Sequence, residues 1–104
     1  MPISLNNLQT TAGNIYVSTG NSAITFLSLC NHSMANVTAN VYVVPAGDIA
    51  GNDNIVLSEL EISSQDTYQF YVGGEKLLLA NGDSIVANSS SSNAITTVTS
   101  FTPV

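Results

Sequence analysis

Apolar and polar residues alternate with a period of two along most of the chain. Val37, Ala39, Val41 and Val43 alternate with Thr38, Asn40 and Tyr42. Leu60 and Ile62 alternate with Glu59 and Glu61, and Tyr68, Phe70 and Val72 with Thr67, Gln69 and Tyr71. Ile85 and Ala87 alternate with Ser84, Val86 and Asn88. Successive side chains of a strand point to opposite faces, so each run predicts a strand with one buried face. Ala23–Asn31 carries apolar residues at both parities and predicts a central strand covered on both sides. Ala94–Thr102, rich in Thr and other β-branched residues, predicts a last strand, and Asn14–Ser18 a short first one.

The segments between these runs have turn chemistry: Ser18-Thr19-Gly20-Asn21, Asn31-His32-Ser33, Pro45-Ala46-Gly47-Asp48, Ser63-Ser64-Gln65-Asp66, Gly73-Gly74 and Asn81-Gly82-Asp83. Asn81-Gly82, between Leu77–Leu79 and Ile85, is the strongest local signal for a tight hairpin turn. Ser89–Ser92 reads as a loop, because strand signal resumes directly after it. No segment keeps a helical repeat of apolar residues over three turns. Seven or eight short strands separated by regular turns predict a single all-β domain, an antiparallel β-sandwich of jelly-roll type. Residues 14–104 hold that domain, and residues 1–13 are expected as an N-terminal arm or a first strand.

Composition changes the picture mainly through what is missing. Only eight of the 104 residues are charged: Lys76, the sole Lys or Arg, and seven acids, for a net charge of −6. Ser, Thr and Asn fill 36 positions instead. A single cation cannot displace counterions from a phosphate backbone, which excludes nucleic acid as a partner. The same shortage excludes an anionic membrane surface. The apolar runs Ala23–Cys30 and Val41–Ala46 are far shorter than the roughly 20 residues of a membrane-spanning helix. Met1-Pro2-Ile3-Ser4 has no basic segment followed by an apolar one, so no secretory signal is predicted.

Candidate chemistry is sparse. Cys30 is expected to point inward as an inert thiol, and His32 lies beyond the strand end in a polar turn, so the two do not form a nucleophile–base pair. No Gly-x-Ser-x-Gly elbow presents a serine nucleophile. Glu59 and Glu61 share the outer face of one strand, where carboxylates are solvated and guard an edge rather than perform acid–base work. Asp48, Asn52 and Asp53 lie in an Asx- and Gly-rich loop and are weak candidates for calcium ligands, at a spacing unlike an EF-hand. Three N-x-[ST] triplets, at Asn31, Asn36 and Asn88, are what such a Ser/Thr/Asn-rich chain contains by chance. Tyr42 and Tyr71 are expected to face outward and are the residues a glycan platform would use. No catalytic residue, metal or cofactor is assigned, and the chain is not expected to be an enzyme.

From Ala23 to Phe101 the chain resembles the small all-β structural proteins of tailed-bacteriophage virions. The resemblance rests on the phrases Ala23-Ile24-Thr25-Phe26-Leu27-Ser28-Leu29-Cys30-Asn31 and Ala39-Asn40-Val41-Tyr42-Val43-Val44-Pro45-Ala46-Gly47. It continues through the strand Ile55–Ile62, through Glu75-Lys76-Leu77-Leu78-Leu79-Ala80-Asn81-Gly82-Asp83-Ser84-Ile85, and through Ala94-Ile95-Thr96-Thr97-Val98. It implies a non-enzymatic virion component, first of all a capsid decoration (cement) protein that binds the major capsid protein. Its alternatives are a neck, tail or baseplate component, or a glycan-binding sandwich displayed on the virion. Such a protein would be made in the host cytoplasm and reside in the virion. Sheet edges with so few guarding charges independently predict self-association into a homo-oligomer, a trimer on an icosahedral shell.

Overall fold

A computed structural model describes residues 3–70 and 77–104 and gives an all-β sandwich of nine strands. These are β1 (Ile3–Asn7), β2 (Gly13–Val17), β3 (Ser22–Asn31), β4 (Val37–Val44), β5 (Ile55–Ile62), β6 (Thr67–Phe70), β7 (Leu77–Leu79), β8 (Ser84–Ser89) and β9 (Ile95–Pro103). Sheet A runs β1-β9-β3-β6, with β7 also on β3, and sheet B runs β2-β8-β4-β5; every pairing is antiparallel. The expected turn at Gly73-Gly74, and Tyr71 and Lys76, lie outside the described residues.

β3 is the hub of sheet A. It pairs β9 along its length on one side, and β6 and β7 on the other. No residue of β3 is exposed, in keeping with the expected coverage on both sides, and its apolar residues at both parities have a second cause. The register with β9 shifts between Ile24 and Phe26, so one residue of β3 bulges out of the ladder. A one-residue insertion reverses which side chains face inward. Ser22 and Ile24 point into the sandwich before the bulge, and Leu27, Leu29 and Asn31 after it; all five are buried. Cys30 therefore falls on the outer face of sheet A, half-buried, and not in the core as expected. The Thr-rich β9 is not an edge: β1 and β3 flank it on both sides.

The hairpin expected at Asn81-Gly82 is a crossover. β7 belongs to sheet A and β8 to sheet B, so this turn carries the chain from one layer to the other. Its side chains staple neighbouring turns. The Asp83 carboxylate accepts from the backbone N–H groups of Ala46 and Ala80 (2.9 and 2.8 Å), and Asn81 Oδ1 accepts from Gly20 N–H at 2.8 Å. Gly82 sits at φ +88°, and a Cβ there would lie 3.0 Å from that of Ala46, which restricts the position to glycine. Among consecutive described strands β4 and β5 pair directly, while six of the other connections carry the chain from one layer to the other and hold the layers together.

The core between the layers is aliphatic, with Ile24, Leu27, Leu29, Val41, Ile85 and Ile95 among its members. Of the largest fully buried side chains three are polar: Asn31, Thr97 and Thr99. Asn31 is fully buried and spends its whole hydrogen-bonding capacity. Its Nδ2 donates to the carbonyls of Ala35 and Ile62 at 2.8 and 2.9 Å, and its Oδ1 accepts from the Ser33 N–H and hydroxyl at 3.0 and 2.6 Å. One amide thus ties the end of β3 in sheet A to the end of β5 in sheet B. Thr97 donates weakly to the Asn6 carbonyl at 3.3 Å, while the buried Thr99 Oγ1 has no partner among the described residues.

Two variants separate these roles. Asn31→Ala removes the side-chain bonds to the Ile62 carbonyl and the Ser33 N–H and is expected to cost about 2–4 kcal/mol in urea unfolding. Thr99→Val keeps the shape and removes the orphan hydroxyl, so it is expected to add about 1 kcal/mol and raise the melting temperature by roughly 4–8 °C.

Candidate functional site

The residues singled out for chemistry do not converge. Cys30 lies on the outer face of sheet A, and His32 is exposed just beyond the end of β3, where its backbone N–H donates to the Ala94 carbonyl. Glu59 and Glu61 are both exposed on β5, the outermost strand of sheet B. β5 is irregular there: its register with β4 shifts twice, Glu59 adopts φ +50°, and its N–H donates to Asn40 Oδ1 at 2.7 Å. Among the described residues no three His, Cys, Asp or Glu side chains gather where one cation could be held. No helix is long and apolar enough to cross a membrane among them.

The loop carrying Asp48, Asn52 and Asp53 is organised by a fourth residue. Asn54 Oδ1 accepts from Gly51 N–H at 3.0 Å, its Nδ2 donates to the Ile49 carbonyl at 2.9 Å, and its backbone carbonyl accepts from Val43 N–H. Asp48, Asn52 and Asp53 are all exposed around it. Asn31, first of the three N-x-[ST] triplets, is unreachable in the folded chain because its amide is fully buried and bonded. Asn36 accepts from Ser64 N–H, and Asn88 is held between Asn40 and Thr10. Tyr42 is half-buried on the outer face of sheet B, in register with Val86.

What the fold does assemble is a surface. None of the described strands of sheet A contains a charged residue; the described acids lie in loops or on β5. The register places Leu5, Val98 and Ser28 in one row across its outer face, with Ile3, Ser100 and Phe26 in the next. A third row sets Thr102, Ala23 and Leu78 side by side. Ile3, Leu5 and Leu78 are 57%, 63% and 69% exposed, which is unusual for aliphatic residues sharing one sheet face.

The polarity of β1 is the reverse of an ordinary outer strand. Ile3 and Leu5 face solvent, and Ser4 and Asn6 face inward. The cause lies on β2, whose register with β8 shifts between Asn14 and Tyr16. The Ile15 carbonyl at that bulge accepts from Asn6 Nδ2 at 2.9 Å and from Ser4 Oγ at 3.1 Å. These bonds clamp the outer strands of the two sheets together beside a groove of about 420 Å³ that includes Tyr16 and Phe101, whose rings are 4.4 Å apart. The alternation Ile3-Ser4-Leu5-Asn6 was the available signal in the sequence, but the burial rule assigns its faces the wrong way round.

Because Asn54 bonds order the 48–54 loop, millimolar calcium is expected to leave the melting temperature unchanged; a rise of several degrees would establish a calcium site there. Compared with protein-family models, with curated proteins and with solved structures, the chain matches none of them.

Proposed function

We propose that this chain is a non-catalytic structural protein of a virion, a capsid decoration protein whose function is carried by the outer face of sheet A. The observation that supports this reading is the partition of charge. A chain with a net charge of −6 keeps all of it off the described strands of sheet A and sets aliphatic side chains in the open there. An uncharged face of this kind is costly to leave in water and can be covered without desolvating any ion. The resemblance to phage structural proteins supplies the occupant, the major capsid protein or another protein of the particle. Attachment then consists of apolar contact and hydrogen bonds from Thr, Ser and Asn, and a decoration protein so held bridges neighbouring subunits and resists their separation.

Bonds of this type are insensitive to salt, whereas ion pairs are screened over about 3 Å at 1 M ionic strength. Particles carrying the protein are expected to retain it through a wash in about 1 M NaCl, and cryo-electron microscopy is expected to place it on the head. Density at the neck or tail would reassign it within the particle. Leu78→Glu sets a charge into the face at an already exposed position and is expected to weaken attachment at least tenfold without changing the melting temperature. Quantitative release by salt, or undiminished attachment of Leu78→Glu, would contradict the reading.

A further inference from the structure

The four outer edges of the sandwich are not alike. An unpaired strand edge presents free N–H and C=O groups that template pairing, and proteins blunt it with charge, bulges or shortness. β5 is blunted twice over, by two register shifts and by Glu59 and Glu61. β2 is bulged at Ile15. The edge opposite β1 is divided between two strands, β6 and β7. β1 has none of these devices. It keeps an unbroken register with β9 from Ile3 to Asn7 and carries no charge.

β1 is also held ready to pair. The Ser4 and Asn6 bonds to the Ile15 carbonyl fix it from the inside, and Thr96 Oγ1 donates to Asn7 Oδ1 at 2.8 Å from the neighbouring strand. A strand already fixed in an extended form loses little conformational entropy when it gains a partner.

We propose that β1 is a self-pairing edge, through which a second copy of this chain joins antiparallel, β1 to β1, about a two-fold axis. The second copy is the occupant because the strand is complementary to itself. A two-fold axis at Leu5 sets Leu5 beside Leu5 of the other copy, with Ile3 on the adjacent diagonal, so apolar side chains meet on the outer face. The same axis sets Ser4 opposite Asn6 on the inner face, polar against polar. No like charges are brought together along the strand. Sheet A becomes continuous across both copies, and its uncharged face is doubled. The pair is a two-fold dimer, in place of the trimer expected from the sequence. Ile3 and Leu5 also belong to the face assigned to the capsid, but the mass of the free chain in solution reads the edge alone, so either reading can fail without the other.

Analytical ultracentrifugation over a concentration series tests it. The wild-type chain is expected to sediment at twice the chain mass. Leu5→Lys, at a position 63% exposed, is expected to be monomeric with an unchanged circular dichroism spectrum. Leu78→Glu, on the same sheet but away from β1, is expected to remain dimeric. A wild-type monomer or trimer, or a dimeric Leu5→Lys, overturns the proposal. Hydrogen exchange reads the same edge without any variant: amides within Ile3–Asn7 are expected to lose protection on dilution while those of β3 keep it, and concentration-independent exchange in β1 overturns the proposal equally.

Discussion

The bulge in β3 is the constraint on which the sandwich depends. β3 is the longest strand and touches three others, so its facing decides that of the whole of sheet A. Without the extra residue between Ile24 and Phe26, either Ile24 or the pair Leu27 and Leu29 would have to face outward. With it, both halves of the strand place aliphatic side chains in one core. Ile24 meets Phe101 of β9, and Leu27 and Leu29 meet Thr99 and Thr97. The same shift turns Phe26 and Cys30 to the outside and so furnishes part of the uncharged face.

Amides and hydroxyls do the joining that ion pairs do in more highly charged proteins. Asn31 bonds across the layers at one end, and Asp83, the one acid among these joints, bonds to backbone N–H groups rather than to a cation. Ser4 and Asn6 close the β1–β2 side, and Asn54 shapes the longest loop. Neutral hydrogen bonds of this kind carry a smaller desolvation cost than buried ions and act over short range only. Their directionality pins strands that a uniformly aliphatic core would leave free to slip.

This economy of charge has a consequence for the surface. Where carboxylates remain, they sit on the irregular outer strand of sheet B and in loops, and they leave sheet A free of charge among the described residues. Which side of the sandwich carries strand-borne charge is therefore set by the layer to which β5 belongs. The chemistry-bearing residues follow the same division: Cys30 is on one layer, Glu59 and Glu61 are on the other, and nothing draws them into one pocket.

The sequence by itself determined the strand content and most strand positions, because period-two alternation and turn residues are local properties. β4, β5 and β8 lie where the alternation of Val37–Val43, Glu59–Ile62 and Ser84–Asn88 puts them. The shortage of charge, and with it the exclusion of phosphate-binding surfaces, was equally legible. What only the tertiary structure decided was facing and partnership. A bulge is invisible to alternation, so the inward facing of Leu27 and the outward facing of half-buried Cys30 could not be read from β3 alone. The Asn81-Gly82 turn looks the same whether its flanking strands pair or part into different sheets, since turn geometry fixes the reversal but not the neighbours. β1 faces Ile3 and Leu5 outward because the Ile15 carbonyl, freed by a bulge on another strand, draws Ser4 and Asn6 inward. Strand identity is written locally, but which side of a strand is buried depends on the strands laid beside it.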